Sequence, residues 1–277
     1  MSTSAFDPIA FRDFEATGWD AIADPYHHFF GPIVAPSIDP LLNAARVGSG
    51  TTVLDVASGP GDVAARAASR GASAVGVDIA PGMVALATAL HPEVVFREAD
   101  AEQLPFADRS FDAVVGSMVL PHLARHEQAV AEWVRVLVPG GYLAQVMWSP
   151  PGRTRLIGVF LDAIQAAGAT PPAGIPAGPP FFLYATDDAL AGLLRGGGLT
   201  AITVTEIVFR HRVPDADTFW EGFLATTVRS AALVKRQTPE AQRRIRDAFN
   251  ERVAEYATSD GLELPVGLKV AAGYKVA

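Results

Sequence analysis

The sequence predicts an α/β fold in which a mostly parallel sheet is covered by helices on both faces. From residue 51 onward, short runs of strand-forming apolar residues alternate with helical segments, which is the pattern of a buried parallel sheet. In addition, 49% of the 277 residues are hydrophobic, which is enough for one large core. A sheet of this kind binds its ligands beyond the carboxyl ends of its strands.

The first half of the chain supplies most of the predicted strands. The first fifty residues are predicted to be a helical lead-in, in which Pro25 interrupts the run of apolar residues and Pro36 opens a short further helix. The first strand, 51–57, ends in the turn 58–61, and the helix after it ends at Gly71, a residue type common at that position. Further strands are expected at 74–79, 94–97, 111–116 and 142–148, with helices at 62–70, 81–91 and around 130–137.

After residue 149 the alternation becomes less regular. A helix near 153–167, a Pro/Gly-rich loop at 168–180, a short helix at 187–195 and a strand at 199–212 are followed by an amphipathic helical segment and a closing strand at 262–276. The predicted units are a helical lead-in and lid (1–50), a cofactor-binding core (51–213), a helical cap inserted between the last two strands (214–259) and the closing strand of the core (260–277).

Composition and charge weigh against several classes of protein. The formal net charge of −8 argues against a nucleic-acid partner, because such surfaces cluster Lys and Arg. The absence of cysteine excludes disulfides, thiolate catalysis, iron–sulfur clusters and cysteine-ligated zinc. No metal site is expected, since the adjacent His27 and His28 diverge by about 100° around a helix. The N-terminus carries no basic residue ahead of an apolar run, so no secretory signal is expected. The longest weakly charged stretch, 156–186, is too rich in proline for a membrane-spanning helix. We expect a cytoplasmic monomer or homodimer.

The turn after the first strand has the form of a cofactor loop. Residues 59–64, Gly-Pro-Gly-Asp-Val-Ala, match G-x-G-x-x-A between a strand and a helix, and Asp78 follows Gly59 by nineteen positions. This spacing is compatible with a dinucleotide fingerprint, in which the acidic residue binds ribose hydroxyls. The motif alone does not separate nicotinamide from other nucleoside cofactors.

Charges beside the loop favour a cationic cofactor over a pyrophosphate. Pro60 removes a backbone N–H donor from the middle of the loop, and Asp55 and Asp62 place carboxylates on either side of it. Such charges repel phosphate but suit the ammonium and sulfonium of S-adenosylmethionine (SAM). The alternative for Asp62 is that it only stabilises the start of the helix.

With these residues, the sequence resembles the class I SAM-dependent methyltransferases, particularly the branch that contains the ubiquinone and menaquinone C-methyltransferases and many small-molecule methyltransferases. The matching blocks occur in the order of the family and are VLDVASGPGD (53–62), GVDIAPGM (76–83), DAEQLPF (100–106), SFD (110–112) and RVLVPGG (135–141). The resemblance implies a Rossmann-like sheet of seven strands whose last strand is antiparallel. Ser58 departs from the family, which often has Cys there.

The resemblance also implies ten residues that contact SAM. It assigns the methionine end to Asp55, Gly59 and Gly61, the ribose hydroxyls to Asp78, the adenine to Ile79, Met83, Asp100 and Ala101, the transferring methyl to Ser117, and the lid over the cofactor to Tyr26. For Tyr26, a simple packing role remains the alternative.

His122 is the candidate general base, because it follows the fourth strand onto the edge of the sheet where ligands bind and can accept a proton near neutral pH. The alternative is that it packs against the next helix. Aromatic residues after the strands are the candidates for binding the acceptor, although each of them could instead belong to the core. These are Trp148, Phe181, Phe182, Tyr184, Phe219, Trp220 and Phe223.

The predicted function is therefore methyl transfer from SAM to O, N or C of a small, apolar or aromatic acceptor by in-line displacement. The Pro/Gly loop and the cap are expected to act as a lid. Two alternatives stay open: an NAD(P)-dependent oxidoreductase, and a SAM-fold protein that uses the cofactor without methyl transfer.

Overall fold

The structure, a computed structural model, describes residues 6–276. Its sheet has the strand order β3-β2-β1-β4-β5-β8-β6, in which β1 to β5 are parallel and β8 runs antiparallel to both β5 and β6. The strands are β1 (Thr52–Val56), β2 (Ser73–Asp78), β3 (Val95–Glu98), β4 (Phe111–Ser117), β5 (Leu137–Trp148), β6 (Leu199–Val213), β7 (Ala257–Thr258) and β8 (Gly261–Lys275). The Rossmann-like sheet with an antiparallel last strand is thus confirmed. The two-residue β7, which pairs only with β8, adds to the seven predicted strands.

Helices cover both faces of this sheet. They are α1 (Pro8–Ala21), α2 (Ala23–Val34), α3 (Ile38–Ala44), α4 (Asp62–Ser69), α5 (Pro81–Leu90), α6 (His126–Val136), α7 (Arg155–Ala166), α8 (Asp187–Gly196), α9 (Ala216–Ala225), α10 (Arg229–Lys235) and α11 (Pro239–Val253). Within the described residues, no helix is both long enough and apolar enough to cross a membrane.

Alternate residues of the central strands enter two separate cores. In β1, Val53 packs with Val115 and Val146 on one face, while Leu54 and Val56 pack on the other. This alternation is what a strand buried on both sides requires, because successive side chains point to opposite faces. Because β1, β2 and β4 are parallel, their carboxyl ends meet at one edge of the sheet.

The N-terminal region is helical, as predicted, but its break lies elsewhere. Asp7 caps α1, since its Oδ1 accepts hydrogen bonds from the backbone N–H groups of Ile9 and Ala10 at 3.0 and 3.1 Å. The chain turns at Ile22, whereas Pro25 lies in the first turn of α2 and does not interrupt it. A proline is tolerated there because the first N–H groups of a helix have no partner within it.

The segment between β6 and β8 forms α9, α10 and α11. Phe219, Phe223 and Phe249 from this segment pack against Phe160 of α7 and are almost completely buried. The ring centroids of Phe160 and Phe223 lie 3.7 Å apart in a stacked arrangement. The segment therefore shares the core of one sheet face.

Candidate functional site

The glycine loop between β1 and α4 is held by the carboxylate of Asp78 at the end of β2. Asp78 Oδ2 accepts a hydrogen bond from the backbone N–H of Gly59, and Oδ1 accepts one from Ala80, both at 2.9 Å. Gly59 and Gly61 adopt left-handed conformations with φ of 51° and 89°. A Cβ atom on Gly59 would meet nothing within 4 Å, whereas one on Gly61 would lie 2.5 Å from the ring of Phe96. The loop thus presents open space in front of Gly59, and Gly61 serves close packing behind it.

Asp55 lies beneath this loop and is only 1% exposed. Its Oδ2 accepts a hydrogen bond from Ala64 N–H at 3.1 Å. Burial, together with the charges of Asp78 and Asp62, raises the pKa of the Asp55 carboxyl well above its usual range. Burial likewise raises the pKa of Asp78, although its backbone hydrogen bonds act in the opposite direction. A positive charge near these two residues would favour their ionised forms.

A cleft of about 770 Å³, including space open to solvent, lies over the carboxyl ends of β1, β2 and β4, within the size range of small-molecule sites. It brings together nine of the eleven residues predicted to bind the cofactor or to act in catalysis. These are Tyr26, Gly59, Asp78, Ile79, Met83, Asp100, Ala101, Ser117 and His122. The other two, Asp55 and Gly61, lie behind the loop and are not part of the cleft wall.

The carboxylate of Asp62, predicted beside the cofactor, faces two histidines and not the cleft, with His27 Nδ1 at 3.5 Å and His91 Nε2 at 3.4 Å. Among residues 6–276, no cluster of three potential metal ligands occurs. His126 is buried, its Nε2 lying 2.9 Å from the carbonyl oxygen of Leu120.

The N-terminal helix α1 contributes a residue that the sequence analysis missed. Glu15 is 2% exposed, and its Oε2 accepts a hydrogen bond from Trp19 Nε1 at 3.0 Å and lies 2.8 Å from His122 Nδ1. Phe11, Glu15 and Trp19 are spaced at four residues, so they share one helix face. A single carboxylate between two aromatic residues on such a face is the signal that could have identified Glu15.

A second cavity of about 480 Å³, again counting open space, adjoins the first on the side of the cap. Four residues line both cavities: Trp19, Tyr26, Met118 and His122. Of the aromatic residues predicted to bind the acceptor, Trp148, Phe181 and Phe223 line this second cavity. At the junction, Met118 adopts a left-handed conformation with φ of 62°, a strain of the kind that collects at functional sites.

The structure does not bring the other four predicted acceptor residues to the wall of either cavity. Phe219 is fully buried against Phe160, and Trp220 stacks on Phe160 with the guanidinium of Arg246 over its ring. Tyr184 packs against the ring of His126. Phe182 contacts its neighbour Phe181 but lies outside the cavity.

The residues of the cleft fit a cationic nucleoside cofactor such as SAM. Two buried polar atoms of its wall, Glu15 Oε1 and Ser117 Oγ, have no hydrogen-bond partner among the described residues. Such atoms are unfavourable unless a ligand or water pairs with them. Asp78 retains acceptor capacity for hydroxyl groups, and Ile79 and Met83 offer an apolar surface for a base.

Parts of the chain are similar to known methyltransferases. A family model described as a methyltransferase domain matches residues 54–145. An uncharacterized protein of Mycobacterium tuberculosis is 32% identical over 174 residues, which is 61% of each chain. Demethylmenaquinone methyltransferase of Thermus thermophilus is 45% identical over 105 residues, covering 36% of this chain and 48% of that enzyme. The chain thus spans about three fifths of the length of the first curated relatives it matches.

Two solved structures show the same fold at low identity. Phosphoethanolamine N-methyltransferase 2 of Haemonchus contortus, in complex with SAM, has a TM-score of 0.58 and 19% identity, covering 100% of this chain and 62% of that one. The cyclase SpnF has a TM-score of 0.57 and 19% identity, covering 95% and 96%. The fold alone therefore does not decide the reaction. Residues 54–145, about a third of the chain, therefore match the methyltransferase-domain family, and the region around them is similar to a methyltransferase of menaquinone biosynthesis.

Proposed function

We propose that this protein transfers a methyl group from SAM to O, N or C of a small acceptor with an apolar or aromatic body. The junction of the two cavities carries this proposal. The cleft with the carboxylates and the apolar second cavity share His122, Met118, Tyr26 and Trp19, so a ligand in one would contact a ligand in the other. Two adjoining sites that hold the reacting molecules in contact are what a group transfer requires.

The residues of the cleft have separate binding roles. SAM, when bound, supplies a methyl group on a positively charged sulfur. Asp78 accepts hydrogen bonds from the ribose hydroxyls, Asp100 accepts one from the adenine amino group, and Ile79 and Met83 pack against the adenine. Asp55 acts from behind the loop, where its negative charge favours a cationic ligand over a phosphate.

The aromatic cavity orients the acceptor and excludes water from the reacting atoms. Trp148, Phe181 and Phe223 form an apolar wall, and His122 lies at its junction with the cleft. We infer that His122 accepts a proton from the acceptor or orients it. The cap (214–259) and the loop at 168–180 act as a lid that closes over both ligands. Equal protease sensitivity of these segments with and without SAM and acceptor would contradict this role.

The two alternatives separate in binding and product assays. Calorimetric titration of the purified chain with SAM, S-adenosylhomocysteine and NADH should give binding of the first two alone, whereas binding of NADH alone would support an oxidoreductase. Incubation with SAM and a panel of phenols, quinols and amines should then produce S-adenosylhomocysteine together with an acceptor heavier by one methylene, measured by mass spectrometry. Conversion of an acceptor without S-adenosylhomocysteine would support a role like that of a cyclase.

A further inference from the structure

Glu15 of α1 and His122 after β4 form a carboxylate–histidine pair at the junction of the two cavities. They are separated by 107 positions in the sequence, and Glu15 Oε2 lies 2.8 Å from His122 Nδ1. We propose that Glu15 is a positioning residue that holds His122 with its hydrogen on Nδ1, so that Nε2 takes the proton of a hydroxyl acceptor. This inference rests on the proposed methyl transfer and deepens it by assigning the proton acceptor.

The surroundings of Glu15 indicate that it has a function beyond packing. A carboxylate that is 2% exposed is costly to bury unless it is paired and fully hydrogen-bonded. Both observed contacts, from Trp19 and from His122, fall on Oε2, while Oε1 is buried without a partner. Among the described residues, no Lys or Arg nitrogen lies within 4.0 Å of this carboxylate, so its close contacts are the hydrogen-bonding groups of Trp19 and His122.

The pair determines which nitrogen of His122 is free. An ionised carboxylate only accepts hydrogen bonds, so the imidazole nitrogen facing it carries the hydrogen. In the neutral ring the other nitrogen, Nε2, then has a free lone pair. No hydrogen bond to Nε2 occurs within residues 6–276, and the ring lines both cavities. The free nitrogen is therefore available where acceptor and cofactor would meet.

Aromatic contacts fix the orientation of the imidazole ring. The ring of Trp19 packs edge-on against His122 with centroids 4.8 Å apart, and that of Phe181 does so at 5.9 Å. Trp19 therefore contacts both members of the pair, since its Nε1 also binds Glu15. Fixing the ring in one position and one tautomer favours proton transfer in a single geometry.

The proton transfer balances as follows. The acceptor oxygen forms a bond to the methyl carbon while the carbon–sulfur bond breaks, and its electron pair stays on sulfur. The hydroxyl proton moves to His122 Nε2, and the imidazolium that results is stabilised by the negative charge of Glu15. The proton then leaves to solvent, which restores the starting pair.

Because Glu15 is on α1, the pair exists only while α1 covers the cleft. Asp20 at the end of α1 accepts a hydrogen bond from Gly82 N–H at 2.6 Å, which fastens the helix to the start of α5. This contact helps to hold Glu15 beside His122.

The nitrogen chemical shifts of His122 test this assignment without any acceptor. In the full chain labelled with ¹⁵N-histidine, we expect the neutral His122 ring to carry its hydrogen on Nδ1. Glutamine would keep an oxygen at the position that accepts from Trp19, so the test uses Glu15→Leu, which removes the acceptor that faces Nδ1. In Glu15→Leu we expect the hydrogen to appear on Nε2 as well as on Nδ1. Asp13→Asn, a loss of charge on the exposed side of the same helix, should leave the tautomer unchanged. A wild-type ring with its hydrogen on Nε2, or an unchanged tautomer in Glu15→Leu, would overturn the proposal.

A kinetic readout and a binding control complete the test. With a panel acceptor that is methylated on a hydroxyl, we expect kcat of Glu15→Leu to fall by up to about 10⁴-fold, as when the carboxylate that orients a catalytic histidine is removed. An unchanged kcat would overturn the role of Glu15. SAM affinity, measured by calorimetry in both proteins, is expected to stay within a few-fold. Failure of the wild type to bind SAM would instead refute the proposed function, while the tautomer still reports on the pair. If Glu15→Leu does not fold, Glu15→Asp, which is too short to reach Nδ1, should give a mixture of tautomers.

Discussion

Alanine in place of Gly59 should weaken cofactor binding more than alanine in place of Gly61, whereas the loss of stability should be larger at Gly61. Both residues have positive φ, so alanine costs about 1–2 kcal/mol of strain at either position. At Gly59 nothing lies within 4 Å of the new Cβ, so no further loss of stability is expected. At Gly61 the Cβ would lie 2.5 Å from the ring of Phe96, which adds about 1–3 kcal/mol of overpacking.

The ring of Phe96 cannot easily move away from Gly61. The Cδ1 and Cε1 atoms of this ring lie 2.5 and 2.6 Å from the position that a Cβ on Gly76 would take, so the ring fills the space between two glycines. The total cost at Gly61 is therefore about 2–5 kcal/mol, which lowers the thermal midpoint by about 4–20 °C in a chain of this size. At Gly59 the strain alone lowers it by about 2–8 °C.

Binding should change in the opposite order. The Cβ of Gly59→Ala enters the open space of the cleft, where close approach of the cofactor to the backbone is expected, so we predict at least about a tenfold loss of SAM affinity, or about 1.4 kcal/mol. Gly61→Ala, assayed well below its midpoint, should lose less affinity because Gly61 is not part of the cleft wall. Thermal melts and calorimetry with SAM measure both quantities. SAM affinity within twofold of wild type in Gly59→Ala would refute the assignment of this space to the cofactor.

Three further substitutions test the other roles. Asp78→Asn should weaken the binding of both SAM and S-adenosylhomocysteine in calorimetry, by at least about 1.5 kcal/mol each, because both carry the ribose hydroxyls that donate hydrogen bonds to this carboxylate; an unchanged affinity for S-adenosylhomocysteine would contradict this role. Burial raises the pKa of Asp55 in the folded chain. The fold therefore loses stability as the pH rises above the pKa that this residue has in the unfolded chain. Asp55→Asn should therefore raise the thermal midpoint near pH 7 by about 2–4 °C and flatten its dependence on pH, while SAM affinity falls; a lower midpoint would refute the reasoning. Phe181→Ala should raise KM for the acceptor by about tenfold, or about 1.4 kcal/mol, without changing SAM affinity. Phe182→Ala, outside the cavity, is the matched control, and an equal rise in KM would argue against the assigned wall.

The cofactor half of the site could be predicted because its signals are local. The turn at 58–61 joins a strand to a helix, and Asp78 ends the next strand, so the parallel order of the sheet alone brings them to one edge. A short contiguous pattern was sufficient for the glycine loop, the acidic residue and the apolar residues after it. The same logic failed for Asp62, whose direction depends on where the distant His27 and His91 lie.

The acceptor half depends on how helices dock, which a single sequence does not specify. Phe219 and Phe223 lie one turn apart on α9 and are both buried, yet only Phe223 reaches the cavity. The hydrophobic period of the helix predicts that both are buried, but not which of them borders an empty space. The pairing of Glu15 with His122, 107 positions apart, could not be predicted from local sequence patterns for the same reason.

The buried acids of the cleft link stability to binding. Asp55 and Asp78 raise the free energy of the folded chain when they are ionised, because burial disfavours their charges. A core of apolar residues at these positions would be more stable but would offer nothing to a cation or to ribose hydroxyls. A positively charged ligand offsets the free-energy cost of burying these carboxylates, so part of its binding free energy comes from stabilising their ionised forms. On the proposed assignment, the same carboxylates that destabilise the free protein select SAM over a phosphate-bearing cofactor, so the cleft discriminates between cofactors by charge.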